Sequence, residues 1–165
     1  MKVASFILLI IISVLIQTTI LPYFHLQMFQ PNIPLICTIY YGLFAGFFHG
    51  YLFGFFVGIL VDAFSGGIFG ISAFILTILG GISGNINRWV IIYDIKTQIT
   101  VLFLGTIFHG LLFLLFNKIF DIQTDFFSSI LNLILPQSFL HMFLGIIIFI
   151  IIKNIIKTDI RSNGQ

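Results

Sequence analysis

Gly54-Phe55-Phe56-Val57-Gly58-Ile59-Leu60-Val61-Asp62-Ala63-Phe64-Ser65-Gly66-Gly67-Ile68-Phe69-Gly70 is the stretch whose reading decides what this chain is. Two glycines four apart lead to a lone acid, and Ser65-Gly66-Gly67 supplies a turn signal behind it. The same step runs backwards through Gly50, Gly46 and Gly42. Small residues at this spacing let one helix backbone come close to another in lipid. Each i+4 step drifts by about 40° on an α-helix, so only two or three successive glycines share a face. That face packs either inside the protein or against the span of a partner. Asp62 is the only acidic residue in the first ninety-three positions. A carboxylate among Phe, Ile, Leu and Val costs about 2.5–3.5 kcal/mol at the centre of a membrane helix, so something must offset it. The C-terminal end of its own helix does not, because the helix dipole is negative there. Two roles stay open for Asp62. One is a clasp across the next turn, accepting from backbone N–H groups near Ser65–Gly67, since Asp and Ser make good helix caps. The other is a contact to a partner or ligand at the outer membrane face.

Outward from this block, composition sets the class. Hydrophobic residues make up 59% of the 165, and charged ones 7%, against about 25% charged in soluble domains. The expectation is an all-α polytopic membrane protein in one domain covering 1–165, with no soluble domain. A net charge of +2 gives no footprint for nucleic acid. With Cys37 as the lone cysteine, no intrachain disulfide can form. The first apolar segment lacks a small-residue cleavage site, so it reads as a retained span rather than a signal peptide.

Apolar runs fall at about 3–21, 33–62, 68–86, 98–116 and 130–152. Pro22 ends the first, and Pro31 and Pro34 open the second, as prolines do at helix boundaries. The run 33–62 would be about 45 Å long as one helix, too long for a hydrocarbon core of about 30 Å unless strongly tilted. Charge decides how it divides, because cytoplasmic loops carry the excess of Lys and Arg. Six spans with the N-terminus inside put six of the seven basic residues on the cytoplasmic side and leave only Lys118 outside. Five spans do worse in either orientation. The expected spans are therefore 3–21, 33–46, 50–62, 68–86, 98–116 and 130–152. Helices 2 and 3 are short and meet in a turn near His49, both termini are cytoplasmic, and 153–165 forms a basic tail. Arg88, Trp89, Tyr93 and Lys96 suit an internal loop at the headgroups of membrane lipids. Phe126 and Phe127 suit an external loop lying on the membrane. Pro136 should kink the last span, with Gln137 or Ser138 satisfying the freed backbone groups.

No motif points to chemistry. His25, His49, His109 and His141 lack metal-ligand spacing and read as hydrogen-bonded or interfacial histidines. The chain contains no Glu and no nucleotide-binding glycine motif, so no catalytic, cofactor or metal site is assigned.

The pattern resembles the rod shape-determining protein MreD family. The resemblance rests on Gln17-Thr18-Thr19-Ile20-Leu21-Pro22 at the end of the first span and on Pro31-Asn32 opening the second. It continues through Gly54, Gly58, Asp62, Ser65, Gly66, Gly67 and Gly70. These positions are the partner-contact or structural-motif candidates. One departure is the turn Ala45-Gly46-Phe47-Phe48-His49-Gly50, apolar here and often polar or basic in the family. The resemblance implies a non-enzymatic component of the bacterial cell-elongation machinery in the cytoplasmic membrane. It implies a single-span periplasmic partner of the MreC kind, and links to an actin-like filament protein and to peptidoglycan synthases. Two alternatives compete. A substrate-binding membrane subunit of a vitamin transporter is similarly small, six-span and glycine-rich, but the first span carries no A-x-x-x-A docking ridge and few polar residues are expected to line a ligand pocket. An intramembrane enzyme using Asp62 lacks an evident second catalytic group.

Overall fold

The computed structural model describes residues 3–24, 30–86, 94–121 and 125–162, and all regular structure within them is helical. Helix α1 (Val3–Leu15) passes into a π turn (Ile16–Ile20) and a 3-10 turn (Leu21–Phe24). Pro22 has no N–H to continue an α-helix, and the change of helical pitch absorbs it. Helix α2 (Ile33–Ala45) starts at Asn32, whose side chain accepts from the Leu35 N–H at 3.0 Å. Pro34 sits in the first turn, where a missing donor costs nothing.

The division of 33–62 differs from the expected one. Helix α3 is Phe47–Ser65, 19 residues rather than a short 50–62 segment, and His49 lies in its first turn instead of in a loop. The break is Gly46 alone, at φ 87°. A glycine in that conformation turns the chain in one residue, and the N–H groups of Gly46 and Gly50 still reach the Gly42 and Gly46 carbonyls at 2.9 Å. Helix α4 (Ile71–Ile86) starts three residues later than expected, and α5 (Ile95–Ile119) extends beyond 98–116 at both ends. The last span is an α turn, α6 (Phe126–Ser129), then a π turn (Ile130–Ile134), then α7 (Leu135–Ser162). Phe126 and Phe127 are thus the exposed first residues of this helical stretch. The wide π turn ends just before Pro136, whose ring would clash with the carbonyl four residues back in a regular helix. Ser138 donates to the Leu135 carbonyl at 2.7 Å, whereas Gln137 reaches away to the Gln30 carbonyl at 3.1 Å. Arg88, Trp89, Tyr93 and His25, and the side chains of the basic tail, lie outside the described residues.

Helix α2 is the centre of the bundle, in contact with α1, α3, α4, α5 and α7. Leu35, Ile36, Ile39, Tyr40 and Leu43 are all buried on it, and the Tyr40 hydroxyl donates to the Gly145 carbonyl of α7 at 2.8 Å. Thirteen residues make about 20 Å of helix, shorter than the hydrocarbon core, so α2 works as a wrapped core element. By length and apolarity, α3, α5 and the stretch Phe126–Ile148 can each cross a membrane. Their outer faces carry exposed Phe and Leu, such as Phe55, Phe56, Leu104, Leu115 and Phe143.

Candidate functional site: the Asp62 clasp and the glycine seam

Asp62 lies one turn before the end of α3 and is only 5% exposed. Its Oδ2 accepts from the Gly70 N–H at 2.9 Å and the Ala73 N–H at 3.0 Å, and its Oδ1 accepts from the Ser72 N–H at 3.0 Å. Ser72 and Ala73 open α4, so the acid of one helix caps the start of the next. The first N–H groups of a helix have no partner within it and form the positive end of its dipole. The favourable end of α4 therefore outweighs the unfavourable end of α3.

The donors expected near Ser65–Gly67 are not the ones used. The Ser65 hydroxyl lies 3.5 Å from Asp62's own carbonyl and does not bond the carboxylate. Gly66 ends α3 in the left-handed region at φ 67°, and Gly70 turns the chain back at φ 100°. Between them the turn is largely exposed, and it is the first turn of α4 that comes back under the carboxylate. Both backbone conformations favour glycine strongly.

Below the clasp, α3 and α4 run antiparallel along the glycine ladder. A Cβ on Gly50 would run into the Gly80 carbonyl, one on Gly54 into the Leu76 carbonyl, and one on Gly58 into the Ala73 backbone. Gly42 of α2 meets Ser83 and Gly80 in the same way. The face is continued from the α4 side by Gly80 and Gly84, the latter against Gly46 and Phe47. Gly50, Gly54 and Gly58 are therefore occupied within the chain, and their closest contacts are backbone against backbone.

A second buried polar group ties three helices together. His141 of α7 is fully buried; its Nε2 accepts from the Asn32 N–H at 2.8 Å and its Nδ1 lies 2.9 Å from the Thr106 hydroxyl oxygen on α5. Thr106 gives its proton to the Leu102 carbonyl at 2.8 Å. The Nδ1–H must therefore donate to the threonine oxygen, which fixes the neutral Nδ1–H tautomer. Asn32 thus holds the start of α2 by both its side chain and its backbone, and the neighbouring Ile33 N–H donates to the Gln17 Oε1 at 3.0 Å. Pro31, beside it, is buried. Sequence spacing gave no hint of the His141–Thr106 pair, since 35 residues separate the two.

An all-helical bundle with three helices able to cross a membrane, and no soluble domain among the described residues, is a polytopic integral membrane protein. A family model described as rod shape-determining protein MreD matches residues 1–158 of the 165, and the chain belongs to that family. It is accordingly a rod-shape-determining membrane component, associated with the rod-shape machinery. No curated protein and no solved structure matches it.

Proposed function

We propose that this protein is a non-enzymatic scaffold of the cell-elongation machinery, seated in the bacterial cytoplasmic membrane with both termini in the cytoplasm. Its partner is a single-span periplasmic protein of the MreC kind, and through it the actin-like filament and the peptidoglycan synthases are held together. The family match over residues 1–158 carries this proposal. The packing supports it in one respect. Helix faces and short connections are the surfaces such a chain can offer, and the glycine face of α3 is taken by α4. A partner span would then meet the opposite, aromatic face of α3, where Phe48, Tyr51, Phe55 and Phe56 are exposed, or another lipid-facing surface.

Depleting the protein from a rod-shaped source should turn rods into swelling spheres before growth stops. A single-span periplasmic protein should co-purify in mild detergent. Unchanged rod shape after complete depletion would sink the proposal.

A further inference from the structure

A cavity of about 400 Å³ lies at the end of the bundle where α1, α3 and α5 finish and α2, α4 and α7 begin. Gln17, Asn32, Ser72, His109, Asn117 and Gln137 are among the residues that line it. Its volume is in the range of small-ligand pockets.

The hydrogen-bonding inventory of its wall is specific. The side-chain oxygens of Gln17 and Asn32 accept from Ile33 and Leu35, and their amide NH₂ groups have no partner among the described residues. Gln137 donates its NH₂ to the Gln30 carbonyl and leaves its oxygen. The Asn117 side chain lines the cavity, and its amide, with no hydrogen-bond partner among the described residues, is open to it. The Ser72 hydroxyl likewise has no partner among the described residues, its backbone N–H alone being bound to Asp62. An amide held at the wall of a cavity is available to bond whatever fills it, water or a ligand.

We propose that this cavity binds a neutral hexose ring. Free donors and free acceptors stand side by side, and a ring of hydroxyls, each both donor and acceptor, can use both kinds. An anion would waste the carbonyl oxygens of Gln137 and Asn117, and a cation would waste the NH₂ groups of Gln17 and Asn32. Among the described residues no Lys or Arg lines the wall, and a buried charge without a partner is costly. The carboxylate of Asp62 borders an adjoining cavity of about 260 Å³ that shares Ser72, Phe113 and Asn117, and this further disfavours an anion. The rings of His109 and Phe113, one turn apart on α5, lie parallel within 5° with centroids 6.3 Å apart, and both line the cavity, where an aromatic ring can meet the apolar face of a sugar. The hexose is either the headgroup of a glycolipid or a free sugar. The site is separate from the partner-holding role and does not depend on it.

The test uses the full chain in phosphatidylcholine nanodiscs, melted in four conditions. These are no addition, a monohexosyl-diacylglycerol in the bilayer (glucose or N-acetylglucosamine), phosphatidylglycerol in the bilayer, and the matching free methyl glycosides in buffer. A hexose probe should raise Tm by several degrees in the wild type, and the rise should vanish in Asn117→Leu and shrink in Ser72→Ala. Neither variant loses a side-chain hydrogen bond of the empty protein, so both should melt no lower than wild type without addition. A rise with the lipid alone assigns a glycolipid, and a rise with the free glycoside assigns a soluble sugar. No rise with any hexose probe, a rise that persists in both variants, or an equal rise with phosphatidylglycerol overturns the proposal.

Discussion

Replacing Asp62 with leucine removes the acceptors of three backbone N–H groups at once, those of Gly70, Ser72 and Ala73. Each donor left unpaired in a buried site costs about 1–3 kcal/mol; the Ala73 bond is buried and those of Gly70 and Ser72 are partly so, so the three together come to about 5 kcal/mol. Relief from holding a carboxylate in apolar surroundings returns about 2 kcal/mol, less than at a helix centre because Asp62 lies near the end of α3. A net loss of about 3 kcal/mol is a large part of the 5–15 kcal/mol typical of a folded protein. Asp62→Asn is milder but not neutral. Its one remaining oxygen is best placed where Oδ2 serves Gly70 and Ala73, and its NH₂ then faces the Ser72 N–H, donor against donor. The expected order is wild type, then Asn, then Leu, in Tm measured in detergent and in the amount of folded protein in the membrane. Hydrogen exchange sharpens the test, since the amides of Gly70, Ser72 and Ala73 should lose protection in Asp62→Leu before those of mid-α4 do. Wild-type melting and wild-type protection of these three amides in Asp62→Leu would refute the clasp. A folded, abundant Asp62→Leu protein that no longer retains a partner would assign the residue to partner contact instead.

The seam makes a contrasting pair of glycine substitutions. Gly54→Ala forces a methyl group into the Leu76 carbonyl and should destabilise by about 3 kcal/mol or more, because two backbones must separate. Gly66→Ala meets no atom within 4 Å and should cost only the left-handed backbone penalty of about 1–2 kcal/mol. Equal Tm losses would contradict this division between contact and conformation. His141→Leu leaves the Asn32 N–H without its acceptor and should lower stability by about 1–3 kcal/mol, with faster proteolysis at the start of α2 as the local readout. An unchanged cleavage pattern would count against the three-helix hub. For orientation, a reporter fused after residue 28 should read periplasmic and one after residue 92 cytoplasmic; the reverse result at either site would overturn the six-span topology.

The sequence by itself determined the class, the approximate places of the helices and the block that matters. A 7% charged content cannot cover a soluble domain, and the glycine step, the lone acid and the Ser-Gly-Gly signal marked where helices 3 and 4 meet. Local chemistry was legible as well, as in the Asn32 cap with Pro34 behind it. What it could not determine was which apolar faces are inside. Leu35, Ile36 and Ile39 are wholly buried while Leu104, Leu115 and Phe143 face outward, yet in lipid both environments accept the same side chains, so hydropathy does not separate them. Only the tertiary structure decided that α2 is the core. It also replaced an expected loop around His49 by Gly46 alone, because one positive φ can do the work of several residues. Only it showed that the donors for Asp62 come from 8, 10 and 11 residues ahead, and that His141 meets Asn32 across 109 residues. Such bonds depend on where helices dock, and docking here is set by backbone-to-backbone contact at glycines, which leaves no periodic signal beyond their spacing.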